Sequence, residues 1–541
     1  MPPHAELLLR NARIVDGSGA PSRTGDVAVS GGKITAVGPK LSIPADAELE
    51  LGGLALAPGF IDIHTHTDYI QLVEPRSLSK LFDGVTTEVS GNCGFSAFPL
   101  SEEARAREAA RWEPQGVAVD WTDFAGYRRR QENFGTGINR AFFVGHGFLR
   151  GFVVGHANRA PTGPEMERMK AILAREIEAG AIGLSTGLIY PPGCFAERAE
   201  IAELCTVVAE RGGLYASHIR GEGATLLEAI EEALWICRKS GARTQISHLK
   251  ASRPQNWHKL DSAFAMIEAA RAEGLPVLSD RYPYDATSTG LDQLLPEWAY
   301  DGGLEAELAR LRDPAALARI RDEMARKYDD DYYGRVLIAW AQDHPELEGK
   351  YLTDLAARAG VDPATMAVEI LLQTRGACEC VFFVLSDENM KRVLAHDYVM
   401  VASDAEARAT EGPASTGKPH PRAYGTFSRA LGRLSRDEGL FTLEEAVRRV
   451  TSLPAGQLGF SDRGRIAPGF AADLVVFDPA AVRDHATYLD PHRYSAGFRH
   501  IMVNGRLVVR DGCVTDQLPG RILGLGHDPA ADPARPRPTE R

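Results

Sequence analysis

The chain has 541 residues, 44% hydrophobic and 25% charged, with a formal net charge of -12 at pH 7. That length supports a large core and more than one domain. The acidic balance argues against nucleic acid as a partner. No stretch approaches the ~20 apolar residues of a membrane helix, so no membrane partner is expected.

The N-terminal MPPHAELLLRNARIVDG lacks a basic start followed by a long apolar run, so no signal peptide is expected. Seven cysteines (Cys93, Cys194, Cys205, Cys237, Cys378, Cys380 and Cys513) form no disulfide framework. Reduced thiols and a cytoplasmic location follow as expectations.

In chain order, residues 1–57 read as short strands: β-branched and apolar runs broken by Gly-Gly and Pro-Gly. Residues 465–526 read the same way, with Asn504-Gly505 as a hairpin signal. Together they predict one small β-sandwich domain built from both termini. Between them, LAPGFIDIHTH, GVTTEVSGN, AFFVGHG, AIGLSTGL, LYASHI, TQISHLK, LPVLSD and VMVASD look like buried strands. GPEMERMKAILAREIEAG and EGATLLEAIEEALWICRKSG carry apolar residues at helical spacing. About eight such alternations predict an α/β protein, a (β/α)8 TIM-type barrel over 58–464. Residues from about 291 to 345 break the rhythm and read as a helical insertion, a lid or packing subdomain. The Pro-rich tail 527–541 is expected to lack order.

Polar residues cluster at the strand ends, the catalytic face of a barrel. His64 and His66 follow PGFIDI; two apart on an extended chain, they face one side. Cys93 lies in the turn GNCGFS, His218 ends LYASHI and His248 ends TQISHL. Any one of these has an ordinary reading, as a satisfied core histidine or an inert thiol. In series they form the nitrogen and sulfur donor set that zinc prefers. Asp404 ends VMVASD. It reads either as a helix cap or, given its place in the series, as the base that takes a proton from metal-activated water and returns it to a leaving nitrogen.

PGFIDIHTHTD, the lone histidine after each of two later strands, SD near the barrel's end and the closing GRIAPGFAADLVVFD resemble the amidohydrolase superfamily. Within it, GNCGFS, STGLIYPPG, SHIRGEG, ISHLKAS, YPYDATST and GKPHPRAYGTF resemble the N-acyl-D-amino-acid deacylases, or D-aminoacylases. The resemblance implies a tight zinc site at Cys93, His218 and His248. It implies a second, weaker site at His64 and His66 with Cys93, so one or two ions stays open. It also implies a substrate with a free α-carboxylate, met by Lys250, Tyr190, Tyr282 and Arg422. Two departures bear on specificity. Ala405 stands where the family usually has Gly, before a charged loop to Lys418. Arg281 stands where an apolar residue is expected, either to meet an acidic substrate side chain or to pair with a surface acid.

The expected function is zinc-dependent hydrolysis of N-acyl-D-amino acids, a small-molecule reaction. Alternatives are a dihydroorotase- or hydantoinase-like cyclic-amide hydrolase and an amidase or dipeptidase on another carboxylate-bearing amide. A non-catalytic scaffold of the same fold is more remote. The sequence does not specify an oligomeric state.

Overall fold

The computed structural model describes residues 4–525; the tail expected at 527–541 lies outside them. Eight parallel strands stand where the apolar runs lie: Phe60–Asp62, Val85–Ser90, Asn139–Phe142 continued by Val144–Gly145, Gly183–Gly187, Leu214–His218, Arg243–Ile246, Val277–Arg281 and Val399–Val401. Each pairs in parallel with the next in this order, and Asn139–Phe142 and Val144–Gly145 join two sheets end to end. Beyond the eighth strand, the Asp404 N–H donates to His64 O at 2.8 Å, and Thr65 and Ala405 form a parallel bridge. The seam between last and first strands also holds a buried cation. The Lys80 ammonium donates to Asp62 Oδ2 (2.8 Å), Ser403 Oγ (2.6 Å) and the Ala405 carbonyl (3.0 Å).

The helices between strands owe their positions to local signals. Gly163–Glu178 starts at a capping box in which Thr162 and Glu165 satisfy each other's backbone amides. It buries Met166, Met169, Ile172, Leu173 and Ile177 on one face. Leu226–Ser240 stops at Gly241, whose left-handed conformation ends the helix without a Cβ clash.

Strands from both termini share one nine-stranded sheet. Leu474–Phe477 pairs antiparallel with Ala55–Pro58, which pairs in parallel with Ala5–Ile14. Alternate residues face different cores. Ala55, Ala57, Val475 and Phe477 pack with Phe60, Leu81 and Phe427. Leu56, Leu474 and Val476 pack with Leu9, Val27 and Val29. Asn504 and Gly505, both at positive φ, connect the antiparallel strands Phe498–Val503 and Arg506–Arg510.

The excursion between Val277–Arg281 and Val399–Val401 is larger than the insertion expected at 291–345. Helices Leu304–Arg312, Pro314–Lys327 and Asp330–Tyr333 occupy its charged stretch. Val336–Ala341, inside the span expected to be helical, is a strand. It pairs antiparallel with Cys378–Phe382, which pairs with Thr287–Gly290. A short apolar run does not by itself distinguish a strand of this side sheet from a helix segment.

Candidate metal centre

His64 and His66 leave the first strand, Cys93 the second, His218 the fifth, His248 the sixth and Asp404 the eighth. The ligand atoms of His64, His66, Cys93 and Asp404 lie within 4.8 Å of one another, as do those of Cys93, His218 and His248. Cys93 belongs to both groups. Its Sγ is 3.3 Å from His64 Nε2 and 3.6 Å from His248 Nε2. His218 Nδ1 is 3.0 Å from His248 Nε2, and Asp404 Oδ1 is 3.0 Å from His66 Nε2 and 3.2 Å from His64 Nε2. These are lone-pair donors converging in a buried space, the arrangement a cation satisfies.

The backbone is bent to aim them. Cys93 (φ 53°), His248 (φ 37°) and Asp404 (φ 51°) all adopt the left-handed region, which costs a non-glycine residue about 1 kcal/mol or more. Close approach fixes the Cys93 turn: a Cβ on Gly187 would lie 2.0 Å from the Cys93 carbonyl oxygen. The sequence shows glycines at this turn but not which strand presses against it.

Electrostatics favour ionised ligands. Burial raises the Cys93 thiol, but His64, His218 and His248 outweigh it and hold it well below the ordinary thiol range. Burial likewise raises Asp404, but Arg422, His64 and His248 keep it well below the usual carboxylate range. Arg422 Nη1 lies 2.8 Å from Asp404 Oδ2.

Two partners of the donor set were not among the expected site residues. Glu222, four residues past His218, puts Oε1 3.0 Å from His248 Nδ1, 3.7 Å from His218 Nε2 and 2.5 Å from Lys250 Nζ. It faces the far-side nitrogens of two histidines, the place of a partner that fixes tautomer and ring orientation. Burial raises Glu222, but Lys250 and both histidines drive it far below the carboxylate range. Asp280 does the same for His64, with Oδ1 at 3.2 Å from Nδ1, while accepting the His248 N–H at 2.9 Å.

The expected carboxylate anchors adjoin the centre. Lys250 Nζ is 2.7 Å from His248 Nδ1. Lys250 and Arg422 lie over the Tyr282 ring at 5.8 and 4.5 Å, and the Tyr190 ring is 5.1 Å from His218. The Tyr282 hydroxyl is buried with no hydrogen-bond partner among the described residues. Arg281 meets no surface acid. It is buried, donates to the Tyr284 carbonyl at 2.8 Å and stacks on Tyr282 at 4.0 Å. The Ala405 carbonyl accepts from the His66 N–H and from Lys80, so this departure sits in the seam.

The amidohydrolase family model matches residues 47–509. The chain belongs to the amidohydrolase family. It is 38% identical to an N-acyl-D-glutamate deacylase of Alcaligenes xylosoxydans xylosoxydans, covering 96% of each chain. It is 36% identical to a D-aminoacylase of the same organism, over 96% of this chain and 97% of the relative. A crystal structure of the Bordetella bronchiseptica N-acyl-D-glutamate deacylase, with zinc and a phosphonate mimic of the tetrahedral intermediate, superposes with a TM-score of 0.82 at 35% identity. That match covers 96% of this chain and all of the other. This amidohydrolase thus lies in the D-aminoacylase branch that its motifs resemble. Among the described residues no helix is long and apolar enough to cross a membrane.

Proposed function

We propose that this chain is a zinc-dependent N-acyl-D-amino-acid deacylase, cleaving the amide to a carboxylate and a D-amino acid. The observation that carries the reading is the convergence of His64, His66, Cys93, His218, His248 and Asp404 on one buried space. Deacylase relatives at 36–38% identity support the substrate class.

Cys93, His218 and His248 would hold the tight ion, and His64 and His66, with Cys93 and Asp404, would hold a second. Bound zinc supplies Lewis acidity, polarising the amide carbonyl and acidifying water. Asp404, kept ionised by Arg422, accepts the proton of the attacking water and returns it to the departing nitrogen. Lys250 has three donors. Glu222, the His248 carbonyl and His248 Nδ1 all lie within reach of them, so Lys250 meets the substrate carboxylate through its charge. Arg422 and Tyr282 complete the anchoring set, while Tyr190, its hydroxyl 2.9 Å from Thr289 Oγ1, walls the site beside His218. Arg281 stacks on Tyr282, and its Nε and Nη1 have no hydrogen-bond partner among the described residues, which supports the reading that it favours an acidic substrate side chain.

The eight strands are read as a closed (β/α)8 barrel, supported by the Asp404–His64 hydrogen bond and the Thr65–Ala405 bridge. The terminal sheet is read as a small β-sandwich domain over 1–57 and 465–526, supported by its two faces packing into separate cores. Free thiols throughout the described residues support a reducing, cytoplasmic setting.

A panel of N-acetyl-D- and N-acetyl-L-amino acids with zinc-loaded protein tests the reading. Hydrolysis of D-members alone is expected. Turnover of hydantoin or dihydroorotate with none of the panel would overturn it. Asp404→Asn should keep its zinc and lose about 10²–10⁴-fold in kcat; a near wild-type rate would remove Asp404 from proton transfer.

A further inference from the structure

The deacylase reading says where the amide and the carboxylate lie. It leaves open what the site does with the acyl group. Phe95, two residues past Cys93, leaves 42% of its surface exposed beside an otherwise buried centre. Its ring is 5.3 Å from Tyr190 and 6.3 Å from Phe148. Tyr190 in turn lies 5.1 Å from the His218 ring. These contacts form one continuous aromatic surface from a metal ligand outward. Phe148 stands on the helix His146–Val153, and the surface ends there, since Phe152 four residues on is covered by the Arg168 guanidinium at 5.3 Å.

Charge divides the two sides of the site. Lys250, Arg281 and Arg422 all gather on the Tyr282 ring. Phe95 and Tyr190 contact other rings instead. The Tyr190 hydroxyl is tied to Thr289 Oγ1 at 2.9 Å, so its ring is fixed as a wall. Of the two groups left on a substrate whose carboxylate is held by the cations at Tyr282, the α-side chain leaves the carbon that bears that carboxylate and starts beside the cations, whereas the acyl chain leaves the carbonyl carbon at the metal ligands, where the aromatic surface begins.

We propose that Phe95, Tyr190 and Phe148 form an acyl subsite that selects apolar acyl groups, of medium chain length or aromatic, over acetyl. The inference rests on the deacylase reading and specifies its substrate class. Its physical basis is the apolar surface that an acyl chain removes from water against exposed rings, together with ring–ring contact for an aryl group. Acetyl, with one methyl, reaches only the Tyr190 end.

The test uses the full-length zinc protein and one D-amino acid carrying acetyl, butyryl, hexanoyl, octanoyl or phenylacetyl groups. For the wild type, kcat/KM should rise at least tenfold from acetyl to octanoyl or phenylacetyl. Phe95→Ala should lower the octanoyl value at least tenfold more than the acetyl value, and Phe148→Ala should do so more weakly. A flat wild-type series overturns the inference, as does an equal loss on both substrates in Phe95→Ala. Calorimetric binding of octanoate against acetate is read in parallel and needs no turnover. If no acylated amino acid is hydrolysed but octanoate binding is tighter and depends on Phe95, the subsite stands and the deacylase reading falls. If octanoate binds no better than acetate, or equally well to Phe95→Ala, the subsite falls.

Discussion

Replacing Lys80 by Met removes the buried cation from the seam between the first and last strands. Its three donors are matched by three acceptors, on Asp62, Ser403 and Ala405. The Lys80 and Asp62 side chains are 2% and 0% exposed, so water does not replace the ammonium. What stays behind sets the magnitude: the Asp62 carboxylate would keep the Ser403 N–H at 2.9 Å and lose its countercharge. Orphaning one member of a buried pair costs about 3–5 kcal/mol, whereas an exposed pair would cost under about 1 kcal/mol. Ser403 and Ala405 flank Asp404, so turnover should fall at least tenfold as the loop shifts. The double variant Asp62→Leu/Lys80→Met carries no orphan charge and should regain more than half of the lost stability. Urea unfolding under saturating zinc measures both. A wild-type midpoint for the single variant would refute the reasoning, as would a double variant no more stable than the single.

Glu222→Gln keeps the volume and removes the charge behind His218 and His248. Zinc affinity, read by competition with a chelator, should fall about 10–100-fold; a change within twofold would take Glu222 out of the site. Arg422→Ala should raise KM for carboxylate-bearing substrates by at least tenfold. An equal loss on an amide without the carboxylate would count against the anchor. In the excursion, burial and then the Asp292 carboxylate push Glu307 up to about 8, and burial pushes Asp292 to about 6. Raised folded values mean stability that is full below the unfolded pKa and is lost as pH climbs through 6 to 8. Glu307→Gln should therefore raise Tm at pH 9 by roughly 2 °C and change it little at pH 5. Equal shifts at both pH values in scanning calorimetry would contradict the assignment.

The series of strands was legible because each is a short apolar run closed by a polar residue. His218 and His248 stand out because each ends its run in a histidine. Glu222 was hidden: it acts from a Gly-rich turn by reaching back to its neighbours, and no periodicity marks that geometry. Asp280 was hidden because a carboxylate ending a strand looks the same whether it braces a ligand or faces a helix. The left-handed backbone at Cys93, His248 and Asp404 carries no sequence mark either, since none is glycine. The excursion is larger than the sequence suggests because Val336–Ala341 is as apolar as any of the eight parallel strands and pairs elsewhere.

Cys93 belongs to two donor groups that become available at different times as the chain is made. A nascent chain that has passed His248 already carries Cys93, His218 and His248. Asp404, 338 residues beyond His66, has yet to be synthesised at that point. The second group therefore stays one carboxylate short until the eighth strand is made, whereas Cys93, His218 and His248 all stand before the excursion. The shared thiol couples a group made early to one completed late.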